Sequence, residues 1–400
     1  MKKFTLKNGI TVLFEHKPTA SVAIELLVKT GSNNEAESLR GVSHVIEHML
    51  FEGTKKRKNS REIANLIEKI GGELNAYTSS ERTGFYIKVL NRHFALAVDV
   101  LADILQNPLF RPKDLIKEKK IILKEIDVVN DEPRYYQWIL FQKTLYEKHP
   151  ARNPPYGSKE TVSRLTRKAV LNYYHQYYHP SNLIISVVGE VTGVKALLEK
   201  KFIFKGHGLC SPVFNEGPNC GAKEKHEKRE VVNSYIVYGF KAVPRNHPDS
   251  YALDVINSIT GRGQSGTLFQ EIRAKQGLAY EVNTQYAAEK DFGYFAVYLS
   301  TDKKNISKIK ILIQQQLKKL LQVTETELQE AKDYLEGSFS LDNEDTLKQA
   351  DLQAYWEMMG RGELAEEYIN KIKAVSRKDV REAVRKYLSA NQCVVVLEGK

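Results

Sequence analysis

Apolar and polar residues alternate from Phe4 to about residue 30 around a turn at Asn8-Gly9. A period of two predicts strands, here antiparallel ones at Thr11–Phe14 and Ser21–Val28. Gly31-Ser-Asn-Asn34 breaks the alternation, and helical spacing follows to about Phe51. Asn59-Ser60 can cap a second helix, Arg61–Ile70, which stops at Gly71-Gly72. Strands are predicted at Glu73–Thr78 and Thr83–Leu90, then a helix from His93 to Leu105 that ends before Asn107-Pro108. Helical spacing resumes from Pro112 to about Asn130 and again over 135–148. A loop at Pro150–Gly157 and a helix at Thr166–Tyr178 lead into the apolar strand Leu183–Val188.

Residues 205–229 mix glycine, proline and charge, the composition of a linker. Beyond them the order of elements returns. Leu165-Thr-Arg-Lys-Ala-Val170, Tyr177 and Leu183–Gly189 are echoed by Val375-Ser-Arg-Lys-Asp-Val380, Tyr387 and Cys393–Leu397. Ile67–Tyr77 is likewise paralleled by Ile272–Tyr280. The chain therefore reads as duplicated, with related domains at 1–204 and 230–400.

The first predicted helix carries the chemistry. In His44-Val-Ile-Glu-His48 the two histidines are four apart and share one helix face, so both imidazoles can hold one cation. Glu47, beside the second histidine, is placed to take a proton from a water activated there. This is the inverse of the more familiar His-Glu-x-x-His order. A third ligand has two candidates, Glu118 and Glu125, seven apart on one face of the 112–130 helix. Spacing does not choose between them, and four interleaved lysines also fit an ordinary charged face. The duplicated helix, Ser250–Ile259, has neither His nor Glu, so only one copy is equipped for metal chemistry.

Other features change the picture less. Gly261-Arg-Gly-Gln-Ser-Gly266 matches a dinucleotide fingerprint but follows helical spacing rather than a strand. Cys210 and Cys220, flanked by His207 and His226, lack the Cys-x-x-Cys spacing of a zinc knuckle. Three cysteines in 400 residues argue against a disulfide framework and point to a reducing, cytoplasmic setting. The start of the chain has positive charge but no apolar run behind it, so it does not read as a secretory signal. No apolar stretch is long enough to span a membrane. The net charge of +11 is spread over Lys/Glu mixtures without a basic stripe, so no nucleic-acid partner is expected.

With His44, Glu47, His48, Glu118 and Glu125 assembled, the chain resembles the pitrilysin and mitochondrial-processing-peptidase family of inverted-motif zinc peptidases over nearly its whole length. The resemblance implies an α+β fold of two tandem related domains, each an antiparallel-rich sheet with helices packed on one face. It implies a zinc endopeptidase with one Zn2+ per chain. The family's third ligand follows the second histidine by 76 intervening residues, and residues 49 to 124 number 76, which selects Glu125. Glu118 then matches an outer partner of a ligand rather than a ligand. Asn75, Ala76 and Tyr77 fall in the segment that resembles the family's substrate-pairing edge strand. Arg273 and Tyr280 match its Arg/Tyr substrate contacts, although Arg262 and Gln264 interrupt the preceding glycine loop. The resemblance further implies a homodimer closing over peptides or unstructured leaders, with Arg273 and Tyr280 serving the partner's site. Its alternatives are a non-catalytic scaffold subunit on the same fold and a narrow leader-processing peptidase.

Overall fold

The computed structural model describes residues 1–400 except Lys205, His207, Leu209, Cys210, Ser211, Val213, Asn215, Pro218, Asn219 and Cys220. The Cys210/Cys220/His207 grouping considered above therefore lies outside the described residues. His226 is described: its ring nitrogens face Glu224 and Glu398, each at 2.6 Å.

The chain forms two compact units. The first comprises Met1–Asp127, Asn153–Pro212 and Leu341–Ala365, and the second Val128–Arg152, Val213–Ser340 and Glu366–Lys400. A single cut within 205–229 does not describe them, because each unit takes one helix from the other half of the sequence.

The first unit is built on strands β1 (Lys2–Thr5), β2 (Thr11–His16), β3 (Ser21–Val28), β4 (Glu73–Thr78), β5 (Thr83–Leu90) and β6 (Leu183–Gly189), in the order β1-β2-β6-β3-β5-β4. β2 and β3 run in opposite directions, as their alternation predicts, but they are not neighbours. β6 lies between them, parallel to β2 and antiparallel to β3. All seven β6 residues are buried, and so continuous an apolar strand is stable only where both its edges and both its faces are covered. Ile24, Leu26 and Val28 of β3 face the main core, which the helices Val42–Phe51 and Phe94–Gln106 complete. On the opposite face Ala23, Leu27, Leu13 and Ile184 meet Ala350, Ala354 and Met358 of the helix Thr346–Met358. The second face is thus also covered, by one helix from late in the chain.

The second unit repeats the plan. Its strands β7 (Lys223–Lys228), β8 (Ser234–Ala242), β9 (Ala279–Ala288), β10 (Gly293–Thr301) and β11 (Cys393–Glu398) are ordered β7-β11-β8-β10-β9. Position for position this is β2-β6-β3-β5-β4, down to the one parallel pair, β7 with β11, which matches β2 with β6. Its second face is covered by the helix Pro133–Leu145, whose Phe141 and Leu145 pack with Val237, Val395 and Leu397. The class is α+β, with two tandem related domains. Among the described residues no helix is long and apolar enough to cross a membrane.

Candidate metal centre

The Val42–Phe51 helix buries Val42, Val45, Ile46, Met49 and Leu50 in the core of the first unit. The same spacing puts His44, Glu47 and His48 on the other, half-buried face. Its first turn is fixed from outside: Glu35, itself buried, accepts from the backbone N–H of Gly41 at 2.7 Å and of Ser43 at 2.8 Å. Two of the donors that every helix start leaves without a partner are thereby satisfied. Gly41 has φ +95°, and a Cβ there would sit 2.7 Å from the carbonyl oxygen of Tyr156, so only glycine fits.

The Pro112–Asp131 helix supplies the carboxylates. Glu125 Oε2 lies 3.6 Å from His48 Nε2 and 3.9 Å from His44 Nε2. These three side chains are the group among the described residues whose donor atoms converge closely enough for a metal, all within 4.8 Å of one another. A tetrahedral zinc with bonds of about 2.0–2.1 Å holds neighbouring ligand atoms roughly 3.4 Å apart. The two separations to Glu125 exceed this by only a few tenths of an ångström and all three stay within 4.8 Å, so these residues fit the ion.

Glu118 reaches the other side of the same ring. Its Oε2 lies 2.9 Å from His48 Nδ1, so the ring can donate its Nδ1–H to Glu118 while Nε2 is turned towards Glu125. Lys117 backs Glu118 at 3.0 Å. Burial alone would raise the Glu118 pKa, but the bonds from His48 and Lys117 outweigh it and hold the carboxyl below its ordinary value. Burial, with the neighbouring His48, pushes His44 down to about 3, so this imidazole is neutral and its lone pair is free to ligate. The two rings stand edge to face with centroids 4.7 Å apart. Burial raises the Glu47 carboxyl above its ordinary value against the lowering effects of Thr78 and His48, which suits a proton acceptor.

The structure brings together five of the residues singled out from sequence: His44, Glu47, His48, Glu118 and Glu125. It adds one that sequence reasoning missed. The Thr78 hydroxyl donates to Glu47 Oε2. Strand parity held the clue, since Leu74 and Ala76 pack on the core side with the histidine helix, and Thr78 shares their face of β4. By the same parity Asn75 and Tyr77 point the other way. The Tyr77 hydroxyl bonds Glu25 at 2.9 Å and Asp351 at 2.8 Å, on the face covered by the Thr346–Met358 helix. Their side chains are not part of the metal group, although β4 is the edge strand of its sheet, as expected.

Arg273 and Tyr280 lie in the second unit and touch each other. The Arg273 guanidinium sits 4.8 Å from the Phe269 ring centre and 5.0 Å from that of Tyr280, whose side chain is largely exposed. Phe269–Lys275 is wound as a π-helix, a rare form concentrated at functional sites. The glycine loop before it continues the Ser250–Gly261 helix, not a strand, which removes the dinucleotide reading. In that helix Asp254 is engaged by Arg245 at 2.6 and 3.1 Å, a buried ion pair.

A helix-borne histidine pair, a carboxylate from a second helix and an adjacent glutamate define a metallohydrolase type of centre. Comparison with known proteins agrees. Residues 11–158 match the family model "Insulinase (Peptidase family M16)", and 164–335 match "Peptidase M16 inactive domain". The "Uncharacterized zinc protease YmxG" of Bacillus subtilis (strain 168) is 32% identical over 99% of this chain and 98% of its own. An "Uncharacterized zinc protease" of Rickettsia felis is 31% identical over 96% and 94%. A crystal structure of a protease from Helicobacter pylori shares the fold, with TM-score 0.93 at 24% identity, covering 99% of both chains. The chain belongs to peptidase family M16, and its class is that of a peptide-bond hydrolase.

Proposed function

We propose that this chain is a zinc-dependent endopeptidase acting on peptides or unstructured leader segments. The observation that carries the proposal is the convergence of His44, His48 and Glu125 beside Glu47. The zinc-protease names of its relatives support the choice of ion, and one centre in the first unit supports one ion per chain. Bound there, zinc would supply a Lewis acid that polarises the scissile carbonyl and eases deprotonation of the attacking water. Glu47 accepts that proton and returns it to the leaving amine nitrogen. Glu118 keeps His48 in the tautomer that offers Nε2. The open edge of β4 suits an extended peptide held by main-chain hydrogen bonds.

Arg273, half-buried, and the exposed Tyr280 that it lies against on the second unit would stabilise the oxyanion of the tetrahedral intermediate across a homodimeric chamber. Such a chamber admits only unfolded chains. The scarcity of cysteine supports a cytoplasmic setting. Against a non-catalytic scaffold stands the complete ligand set, and the distribution of products on a peptide library would separate general degradation from leader processing.

The test is Glu47→Gln. The variant should keep wild-type zinc content and lose cleavage of a quenched peptide by about 10³-fold or more. Cleavage at the wild-type rate would overturn the assignment of the base.

A further inference from the structure

Thr78 has no part in the mechanism as so far described, yet its hydroxyl meets the proposed base. We infer that Thr78 is a positioning residue that fixes the Glu47 carboxylate and leaves Oε1 as the oxygen that takes the proton. The inference rests on the reading of Glu47 as base.

The chain around Thr78 is held with unusual redundancy. Thr78 ends β4 and pairs with the buried Thr83 of β5, whose hydroxyl donates to the Thr30 carbonyl at 3.0 Å. The next residues turn back at once, with Ser79 N–H donating to the Arg82 carbonyl at 2.8 Å. The Ser79 and Ser80 carbonyls accept from Ser32 N–H at 3.1 Å and Asn33 N–H at 2.7 Å. This close approach requires Gly31, where a Cβ would stand 2.3 Å from the Ser79 oxygen. The segment so clamped leads through Glu35 to the capped start of the histidine helix. Donor and acceptor are therefore attached to parts of the first unit that are tied to each other, and neither can drift alone.

A glutamate side chain has three rotatable bonds, and an unrestrained carboxylate would present either oxygen over a range of directions. General-base transfer needs one lone pair aimed within hydrogen-bond reach of one proton. An ionised carboxylate only accepts, so the Thr78 hydroxyl must donate, and it occupies Oε2. The remaining oxygen is thereby set without spending the freedom of the side chain in each turnover. Because Thr78 belongs to the edge strand, its hydroxyl ties the base to the backbone offered to substrate.

The test compares Thr78→Val, which keeps the shape and removes the donor, with Thr78→Ser, which keeps the donor. Thr78→Ala replaces the valine variant should that fail to fold. A charge-assisted hydrogen bond of ordinary strength predicts a loss in kcat of about 10- to 100-fold for the valine variant. KM should stay within about twofold and zinc content should be unchanged, and the serine variant should recover to within about threefold of wild type. In a crystal structure of the metal-free protein, Glu47 should hold one rotamer in the wild type and the serine variant and spread over several without the donor.

The inference is overturned if the valine variant keeps its kcat, if serine fails as badly as valine, if zinc is lost in step with activity, or if Glu47 stays fixed without the hydroxyl. An inactive Glu47→Gln beside a fully active Thr78→Val would sink this inference alone. An active Glu47→Gln would sink the reading beneath it.

Discussion

Glu118 and Glu125 lie seven residues apart, about 10 Å along one helix, and address opposite nitrogens of the same imidazole. One faces Nε2 and the shared ligand position, while the other takes the Nδ1 proton and sets the tautomer. Replacing each should therefore fail differently. Glu118→Gln should weaken zinc affinity about 10- to 100-fold, measured by competition with a chelator, while saturating zinc restores most of the activity. Glu125→Gln should lose both, with no recovery at any practical zinc concentration. At this scale the histidine pair and Glu47 were legible because helix periodicity alone puts them on one face. Periodicity did not choose between the two glutamates, since it gives both the same face; the family spacing chose Glu125, and in the fold the approach of the second helix separates them. Thr78 was hidden for a related reason: its partner is 31 residues away on a different element.

Elements were read better than their neighbours. The strands at Glu73–Thr78 and Thr83–Leu90 and the helix starting at Pro112 lie where alternation and capping put them. The pairing of β2 with β6 did not follow, because a period of two fixes which face is buried and says nothing of which strand arrives later to fill a gap. Two features of the supporting elements give direct tests. At Gly41, a positive φ combines with a backbone oxygen where a Cβ would go, so Gly41→Ala should destabilise the first unit by roughly 2 kcal/mol or more, read as a lower thermal midpoint.

Asp99, on the Phe94–Gln106 helix, pairs with Arg57 and Lys201, each at 2.6 Å. Burial would raise its pKa, but those two cations prevail and take it to about 2 from an ordinary 3.8. A depressed carboxyl stabilises the fold above its unfolded pKa and ceases to do so as pH falls through the folded one. The stability that Asp99 contributes should be full above about pH 4 and fade towards pH 2. After allowance for its partial exposure, this amounts to ~1–2 kcal/mol. Asp99→Asn should remove that slope in acid unfolding of the metal-free protein. An unchanged slope would show that the pair is screened by solvent.

Across the whole molecule, one strand plan is used twice, and among the described residues only the first copy brings side chains together that could hold a metal. The internal echoes in the sequence announced the duplication because β6 and β11 keep the same apolar run and the helices before them keep the same capping pattern. They did not announce that the helices Pro133–Leu145 and Thr346–Met358 belong to units built mainly from the other half. Neither helix is strongly one-sided in its apolar positions, so periodicity gave no sign that it covers a sheet, nor which one. The sharing of Arg273 across a dimer is testable at this scale. If Arg273 serves a partner's centre, mixing Glu47→Gln with Arg273→Ala in equal amounts and allowing exchange leaves half the dimers mixed, each with one intact site. Activity should then recover to about a quarter of wild type. A mixture as inactive as its parts would show that each Arg273 serves its own chain or none.

The proposed hydrolysis requires three side chains from two helices to hold one ion. An anomalous difference map collected at the zinc edge from crystals of the zinc-loaded protein tests this directly. It should contain one strong peak per chain, bonded to His44 Nε2, His48 Nε2 and the Glu125 carboxylate, and the peak should vanish in Glu125→Ala. A peak elsewhere, or one that persists undiminished in that variant, would contradict the account.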